Sequence, residues 1–329
     1  RMRIDGLDNI DIPATISIAP SNETISESTT LREKLANQLT GLGFNEIFTN
    51  SITNSAYYSE ETLSTSVKML NNLSADLDIL RPSMLHTGLE VIAHNIHRKN
   101  SNLLLFENGK TYINKGEKNY EEQKHLALYI SGETASVAWN AKPAKADYYF
   151  VKGICERILA VAGITNASFE QAETADLDLS AIIKVKNKII GSIGNVADKT
   201  LKIFGIKQPV FFADIYWEDL LEVRKTKTFS YTEVSKYPAV ERDLALLLNT
   251  DINYAQIRKA VTGLNIAQLQ TIKLFDIFES DKLGAGKKSM AVNFTFMDSS
   301  KTLTDKEIDE MMGKIVAACE KQLSAEVRK

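Results

Sequence analysis

Residues 289–323 read SMAVNFTFMDSSKTLTDKEIDEMMGKIVAACEKQL, and this stretch decides the fold of the C-terminal part of the chain. From Ser289 to Phe296, apolar side chains occupy every second position, which predicts a strand with one buried face. Thr304 and Glu307 have the spacing of a capping box, so a helix is expected to begin there. The apolar side chains that follow recur at helical spacing, and they are Ile308, Met311, Met312, Ile315, Val316, Cys319 and Leu323.

The sequence on the N-terminal side of this stretch supplies the other elements of a small domain. Its apolar patterns predict a strand at 244–248, a helix at 254–261 and a strand at 269–278, with a turn at 280–286. Residues 325–328 are expected to form a last strand. The resulting βαββαβ order is that of a ferredoxin-like sandwich.

The preceding part of the chain predicts a larger sheet with helices inserted between groups of strands. Leu31, Leu35 and Leu39 repeat at helical spacing, and Thr29 or Thr30 is expected to cap this helix. Further helices are predicted at 83–97 and 147–162, and strands at 44–53, 103–113, 125–131, 181–185, 189–196 and 210–216, the last of which is closed by a short segment at 217–222. Strands joined by tight turns, with helices that do not alternate strictly with them, indicate a mixed α+β fold.

The composition is that of an ordinary globular protein, and it excludes several classes of function. Of 329 residues, 44% are hydrophobic and 25% charged, and the formal net charge is −3. This balance argues against a protein that coats DNA. No apolar run reaches the ~18 residues of a membrane helix, and residues 1–11 lack the layout of a signal peptide. Cys155 and Cys319 stand far apart, so neither a disulfide framework nor a zinc site built from cysteines is expected, and the sequence predicts a cytoplasmic protein.

The sequence offers no self-contained catalytic motif. Its glycine pairs lack the spacing of phosphate-binding loops, and Cys155 lies in a predicted helix with no neighbouring histidine. Glu90, His94 and His97 would share one helix face as metal ligands, but no second cluster supplies a further ligand. We expect a solvated or RNA-facing helix side here and keep a metal-dependent enzyme as an alternative.

Recognition chemistry is concentrated in the predicted C-terminal domain. Phe275 and Phe278 flank Asp276, and Lys287 and Lys288 follow across the predicted turn, directly before the strand. An aromatic ring for stacking, a carboxylate for base-edge N–H groups and lysines for phosphate are typical of a platform for single-stranded RNA. Basic and acidic side chains nearly balance in this domain, so electrostatic attraction alone would not drive tight binding. The pattern leaves open whether the two phenylalanines stack on bases or pack in the core.

Four short motifs follow one another in this domain. They are YPAVERDL (237–244), LFDIF (274–278), GKKSMA (286–291) and KTLTD (301–305). The series closely resembles the ferredoxin-fold anticodon-binding domain of bacterial phenylalanyl-tRNA synthetase beta subunits. Four motifs in one order are a far more specific signal than a single short match.

The rest of the chain resembles the class II catalytic-like module of the same subunit. The matching stretches are LRPSML (80–85), LFENGK (105–110), DYYFVKG (147–153) and the helix–strand unit at 31–53, which builds subunit contacts in the family. The resemblance implies four segments: the tail of an upstream domain with a linker at 1–30, a class II synthetase-like domain at 31–222, a linker at 223–235 and the anticodon-binding domain at 236–329.

The resemblance also implies partners and a division of labour. The chain would belong to a phenylalanine–tRNA ligase, a heterotetramer of two alpha and two beta subunits, and would bind tRNA-Phe, with neither DNA nor a membrane as partner. ATP, Mg2+ and phenylalanine would be handled by the alpha subunit, so no cofactor is expected on this chain. Asp276, Phe278 and Ser289 would meet the first anticodon base, and Phe278 stands where the family often has tyrosine.

Two departures from the class II pattern indicate a catalytically silent module. Glu107 corresponds to the motif-2 glutamate, and the arginine that holds the α-phosphate of ATP would stand at Leu105. Residues 210–221 also lack the arginine that stacks on the nucleotide. An aliphatic side chain cannot stabilise the charge that develops in adenylate formation. A protein–protein scaffold of the same fold, without RNA binding, is the remaining alternative.

Overall fold

The chain forms two units, Arg1–Thr228 and Phe229–Lys329, in a computed structural model. Each unit has its own sheet and its own hydrophobic core. The residues that the structure describes are 4, 6–9, 14–15, 17–18, 26–72, 74, 76–116, 119–135, 138–140, 142–224, 231, 233–280, 283–284 and 286–327. Most of the tail predicted at 1–30 and of the linker predicted at 223–235 lies outside these residues.

The helices and strands predicted for the first unit occur in the predicted order, and the structure adds short elements that the sequence does not predict. The helices are α1 (Glu27–Gly41), α2 (Glu60–Ser64), α3 (Leu85–His97), α4 (Tyr148–Val161), α5 (Asp198–Ile203) and α6 (Trp217–Val223), with 3-10 turns at Leu7–Asn9 and Ser55–Tyr57. The strands are β1 (Asn45–Glu46), β2 (Ile52–Thr53), β3 (Ile79–Leu80), β4 (Leu103–Asn114), β5 (Tyr120–Ser131), β6 (Ala167–Gln171), β7 (Leu177–Val185), β8 (Lys188–Val196) and β9 (Val210–Tyr216).

Seven of these strands form one sheet in the order β1-β4-β5-β9-β8-β7-β6. The short β1 runs parallel to β4, whereas the remaining neighbours are antiparallel. Helices cover both faces of this sheet, as the central strand β5 shows. Leu128 belongs to the core under α1 and α4, whereas its neighbour Tyr129 belongs to the core under α3 on the opposite face. Such burial on both faces produces a continuous apolar run instead of alternation. The predicted mixed α+β fold is confirmed.

Three local predictions in this unit were wrong. The N-cap of α1 is Ser26, not Thr29 or Thr30, because Ser26 has an extended backbone and its hydroxyl accepts from the Thr29 amide at 3.2 Å. The strand predicted at 44–53 is divided between β1 and β2, which pair with different sheets. Helix α3 begins at Leu85 rather than residue 83, since the Ser83 hydroxyl accepts from the Leu85 amide.

The second unit is a four-stranded antiparallel sheet with two helices. Its elements are β10 (Val240–Asn249), α7 (Tyr254–Thr262), β11 (Leu269–Glu279), β12 (Lys287–Phe296), α8 (Asp305–Leu323) and β13 (Glu326–Val327). The strand order is β11-β12-β10-β13, which confirms the predicted βαββαβ sandwich. Both helices begin with a capping box, one at Asn253 and Gln256 and the predicted one at Thr304 and Glu307.

The alternation read in the sequence decides which face of this second sheet is covered. Met290, Val292, Phe294 and Phe296 are all buried in one core with apolar residues of both helices. Residues at the intervening positions of β12 point to the other face, because successive side chains of a strand alternate. One face of the sheet therefore packs against α7 and α8. We call the other face the open face.

Candidate nucleic-acid interface

A register shift in β11 places Asp276 and Phe278 on the open face. Ile272 and Leu274 pair with Phe294 and Val292 of β12 and so point toward the helices. Between Leu274 and Asp276 the pairing shifts by one residue, which is a β-bulge. An extra residue in one strand turns all later side chains to the opposite face. Without the bulge, Asp276 would share the face of Leu274.

Beyond the bulge, Asp276 pairs with Ala291 and Phe278 pairs with Ser289. Directly opposite residues of an antiparallel pair lie on the same face. Asp276, Phe278 and Ser289, which the sequence singles out, are therefore neighbours on the open face. The structure leaves Asp276 exposed and Phe278 46% exposed, whereas Ser289 is buried. The Ser289 hydroxyl is thus much less accessible than the Asp276 carboxylate.

The two predicted phosphate-binding lysines do not occupy equivalent places. By alternation along β12, Lys287 lies on the face of Ser289 and Lys288 on the face of Met290. Lys287 Nζ is 2.7 Å from Glu326 Oε1 of β13. Lys288 Nζ donates to the Thr250 carbonyl oxygen at 2.8 Å. Of these two lysines, Lys287 therefore lies on the open face, with Glu326 as its ion-pair partner.

Sequence reasoning missed a further basic residue of this surface, Lys273. Lys273 pairs with Asn293 of β12, and the Asn293 side chain points to the open face because it alternates with Val292 and Phe294. The Lys273 side chain is exposed. The signal was present in the sequence, because Lys273 stands between the apolar Ile272 and Leu274. Phe275, the bulged residue, is 53% exposed, so neither phenylalanine packs in the core.

In the first unit, Glu107 is enclosed by an ion pair. Arg81 Nη1 lies 3.0 Å from Glu107 Oε1, and both residues are almost fully buried. The Thr49 hydroxyl donates to Glu107 Oε2 at 2.8 Å and accepts from Arg81 Nη1 at 2.6 Å. Arg81 Nε also donates to the Lys110 carbonyl oxygen. Leu105, two residues before Glu107, is buried in the core under α3.

Gly109 allows this ion pair to form. A Cβ atom at this position would overlap Arg81 Nη2 and the Met84 side chain. The glycine therefore has a steric role beside the guanidinium group. This differs from a phosphate-binding role, for which backbone N–H groups must face a ligand.

The alternative metal site finds no support in the structure. Glu90, His94 and His97 lie on α3 and are exposed, and His94 Nδ1 is 3.0 Å from Arg98 Nη1. Among the residues that the structure describes, no group of three or more His, Cys, Asp or Glu side chains has the geometry of a metal site. Cys155 and Cys319 are buried, and burial raises the thiol pKa of each, to about 12 and about 11.

Two protein-family models together match most of the chain. Residues 12–217 match the family described as the phenylalanyl tRNA synthetase beta chain CLM domain, and residues 235–328 match the ferredoxin-fold anticodon binding domain. The class defined by the two units is a catalytic-like synthetase module joined to an anticodon-binding domain. The chain belongs to the family of phenylalanyl-tRNA synthetase beta chains, so the resemblance read in its motifs is confirmed.

Curated relatives cover nearly the whole chain. The phenylalanine–tRNA ligase beta subunit of Bacteroides thetaiotaomicron is 37% identical over 99% of this chain and 42% of the relative. That of Carboxydothermus hydrogenoformans is 34% identical over 97% of this chain and 41% of the relative. The chain thus spans about two fifths of the length of these relatives.

Among solved structures, the chain is similar to a pyrrolysyl-tRNA synthetase from Desulfitobacterium hafniense. The identity is 17%, the TM-score is 0.49, and the match covers 60% of this chain and 69% of that chain.

Within the described residues, no helix combines the length and the apolar character needed to span a membrane.

Proposed function

We propose that this chain is a non-catalytic part of the beta subunit of a phenylalanine–tRNA ligase. Its second unit binds the anticodon region of tRNA-Phe, and its first unit supports assembly with the alpha subunit in a heterotetramer of two alpha and two beta subunits. The observation that carries the proposal is the open face, on which Asp276 and Phe278 lie side by side and exposed.

The chemistry of these two residues suits one base. An ionised carboxylate is an acceptor, so Asp276 takes hydrogen bonds from base-edge N–H groups, of which guanine offers N1–H and N2–H together. The Phe278 ring provides a stacking surface beside it. Because phenylalanine lacks a phenolic hydroxyl, Phe278 contributes stacking alone. The buried Ser289 lies on β12, directly opposite Phe278. Lys273 and Lys287 add positive charge for phosphate on the same face.

The first unit does not fit ATP. The residue at the position of the phosphate-binding arginine is the buried Leu105, and Glu107 is enclosed by Arg81 and Thr49. These side chains support the proposal that the chain makes no aminoacyl-adenylate. We assign ATP, Mg2+ and phenylalanine to the alpha subunit.

Assembly with the alpha subunit is supported by exposed apolar side chains of the first unit. Phe48, within the stretch that resembles the family's subunit-contact unit, is 95% exposed, and Trp139 is 98% exposed. Single exposed apolar residues are common on protein surfaces, so the support comes from Phe48, which lies in the stretch that resembles the family's subunit-contact unit. A scaffold that has lost RNA binding would keep this surface, so the anticodon test separates the two functions.

The test compares Asp276→Ala with Asp309→Ala, an exposed carboxylate on α8 at the helix-covered side of the sheet. Aminoacylation kcat/KM is measured with reconstituted alpha subunit on tRNA-Phe transcripts that carry each base at the first anticodon position. Asp276→Ala is expected to lose about 1–3 kcal/mol of discrimination, because a base-edge contact is removed. Asp309→Ala is expected to retain the wild-type preference.

An unchanged base preference in Asp276→Ala would contradict anticodon reading by the open face. If the variant also charged tRNA at the wild-type rate with every base, the scaffold function would be favoured. Equal losses in both variants would point to an effect on folding instead of recognition.

A further inference from the structure

A cavity of about 310 Å³ lies in the first unit, beside the buried start of α3. Its polar walls come from separate elements: His86 of α3, Thr111 of β4, His125 of β5, Ser192 of β8, Asp214 of β9 and Asp176 in the turn before β7. These residues take no part in the open face of the second unit, nor in the ion pair of Glu107.

The cavity is acidic. Asp176 and Asp214 line it, whereas its described lining contains no lysine or arginine. Asp214 Oδ1 is 2.8 Å from His125 Nδ1, and His125 Nε2 is 2.8 Å from the Thr111 hydroxyl. Asp176 Oδ1 accepts from the Thr200 hydroxyl at 2.9 Å. No described lysine or arginine forms an ion pair with Asp176, so this carboxylate lacks a neighbouring fixed cation.

His86 supplies an independent sign of a ligand. Only 2% of the residue is exposed, and its Nδ1 has no hydrogen-bond partner in the described part of the chain. Buried polar atoms are nearly always hydrogen-bonded, so an orphaned ring nitrogen at a cavity wall needs explanation. Its other nitrogen, Nε2, lies 3.9 Å from Asp176 Oδ2, beyond hydrogen-bond distance.

Aromatic rings surround this imidazole. The ring of Tyr58 is centred 4.3 Å from that of His86, and the ring of Phe204 is centred 6.2 Å from it. Burial lowers the pKa of His86 to about 4, so the imidazole adds no positive charge to the cavity at neutral pH. A neutral ring that carries its proton on Nε2 leaves Nδ1 as a hydrogen-bond acceptor.

We propose that this cavity binds a small organic cation with a primary ammonium group and an apolar body. The ammonium group has three N–H donors, which match the Asp176 carboxylate and His86 Nδ1. The Tyr58 ring and Leu177, which line the cavity, contact the apolar body. An anion is disfavoured, because the walls hold carboxylates without a lysine or arginine to balance them.

Three probes of similar shape test the charge requirement on the full chain at pH 7: benzylammonium, benzyl alcohol and benzoate. Benzylammonium is expected to bind saturably, benzyl alcohol at least about tenfold more weakly, and benzoate without saturation, because only the cation is attracted by the carboxylates. The imidazole NMR signals of His86 are expected to shift along the same titration curve. His97, exposed on the same helix, is the internal control, and its signals are expected to stay in place.

A matched pair of variants locates the site. Asp176→Asn is expected to weaken benzylammonium binding about tenfold or more, whereas the exposed Asp178→Asn is expected to leave it unchanged. Equal losses in the two variants, equal affinities for the ammonium and the alcohol, or no saturable binding at about 10 mM would each overturn the proposal. If Asp176→Asn does not fold, the three probes on the wild-type chain decide.

Discussion

The two sheets of this protein differ in how their faces are used. In the first unit, helices cover both faces, and the carboxylate of Glu107 ends in a buried ion pair with Arg81. In the second unit, helices cover one face, and the carboxylate of Asp276 remains exposed on the other. Both residues stand on strands, so the fate of each carboxylate depends on what covers the sheet.

This comparison teaches that similar residues hold the fold in one unit and present binding groups in the other. A buried carboxylate must be paired, because isolated charge in the interior is costly. An exposed carboxylate needs no protein partner and keeps its acceptor capacity for a ligand. Three predictions test the contrast, from the largest expected effect to the smallest.

Arg81→Ala is expected to give the largest effect, a loss of about 3–5 kcal/mol in the free energy of unfolding of the first unit, because it leaves the Glu107 carboxylate buried without an opposite charge, although Thr49 still donates hydrogen bonds to it. Urea denaturation followed by tryptophan fluorescence measures this unit alone, since both tryptophans, Trp139 and Trp217, lie in it. The exposed pair of Lys184 and Glu170 is the control, and Lys184→Ala is expected to cost less than about 1 kcal/mol.

Replacing both partners sharpens this result. The double variant Arg81→Met/Glu107→Leu is expected to recover most of the loss, because an apolar pair of similar volume needs no charge compensation. A double variant as unstable as Arg81→Ala would contradict the view that the cost arises from the orphaned carboxylate.

Gly109→Ala is expected to destabilise the first unit by about 1–3 kcal/mol, because the added methyl group overlaps the Arg81 guanidinium and Met84. Gly153→Ala in α4 is the matched control, since nothing lies within 4 Å of a Cβ at that position. Alanine is expected to stabilise the helix there by about 0.5–1 kcal/mol. The same fluorescence measurement compares them, and equal effects would contradict a specific steric role of Gly109.

The smallest effects are expected at the lysines of the second unit. Lys273→Ala and Lys287→Ala are expected to weaken binding of all tRNAs alike and to reduce the salt dependence by about one phosphate contact each, because both lie on the open face. Lys288→Ala is expected to change little, since this side chain points to the other face and donates to Thr250. The slope of log affinity against log salt concentration measures the difference.

Equal slopes for the Lys287 and Lys288 variants would contradict the assignment of faces. They would instead favour the sequence-based view, in which the two neighbouring lysines act together. A scaffold without RNA binding predicts no salt-dependent tRNA binding in any of the three variants.

Much of the fold could be predicted because its signals are local. The alternation from Ser289 to Phe296 identified β12, and Thr304 with Glu307 identified the start of α8. The bounds of β9, Val210–Tyr216, agree with the predicted strand. The sequence did not predict α2, α5 and β6, because these elements are short and carry little apolar periodicity. The strand predicted at 44–53 failed because its two ends pair with different partners.

The candidate site was predicted only in part. Motif resemblance selected Asp276, Phe278 and Ser289, whose roles stay predictions, and pairing in the sheet places them together. Sequence reasoning did not separate Lys287 from Lys288 and overlooked Lys273. It also assigned no partner to Glu107, because Arg81 stands 26 positions away and nothing local links them.

The sequence by itself determined the order of the longer strands and helices, the capping box of α8 and the covered face of β12, because each depends on residues only a few positions apart. Tertiary structure alone decided the bulge after Leu274, which turns Asp276 from the helix side to the open face. It also decided the burial of Glu107 against Arg81 and the convergence of His86 with Asp176 at one cavity. The physical reason is that strand register and side-chain pairing are set by contacts between distant segments, and a shift of one residue reverses every face that follows.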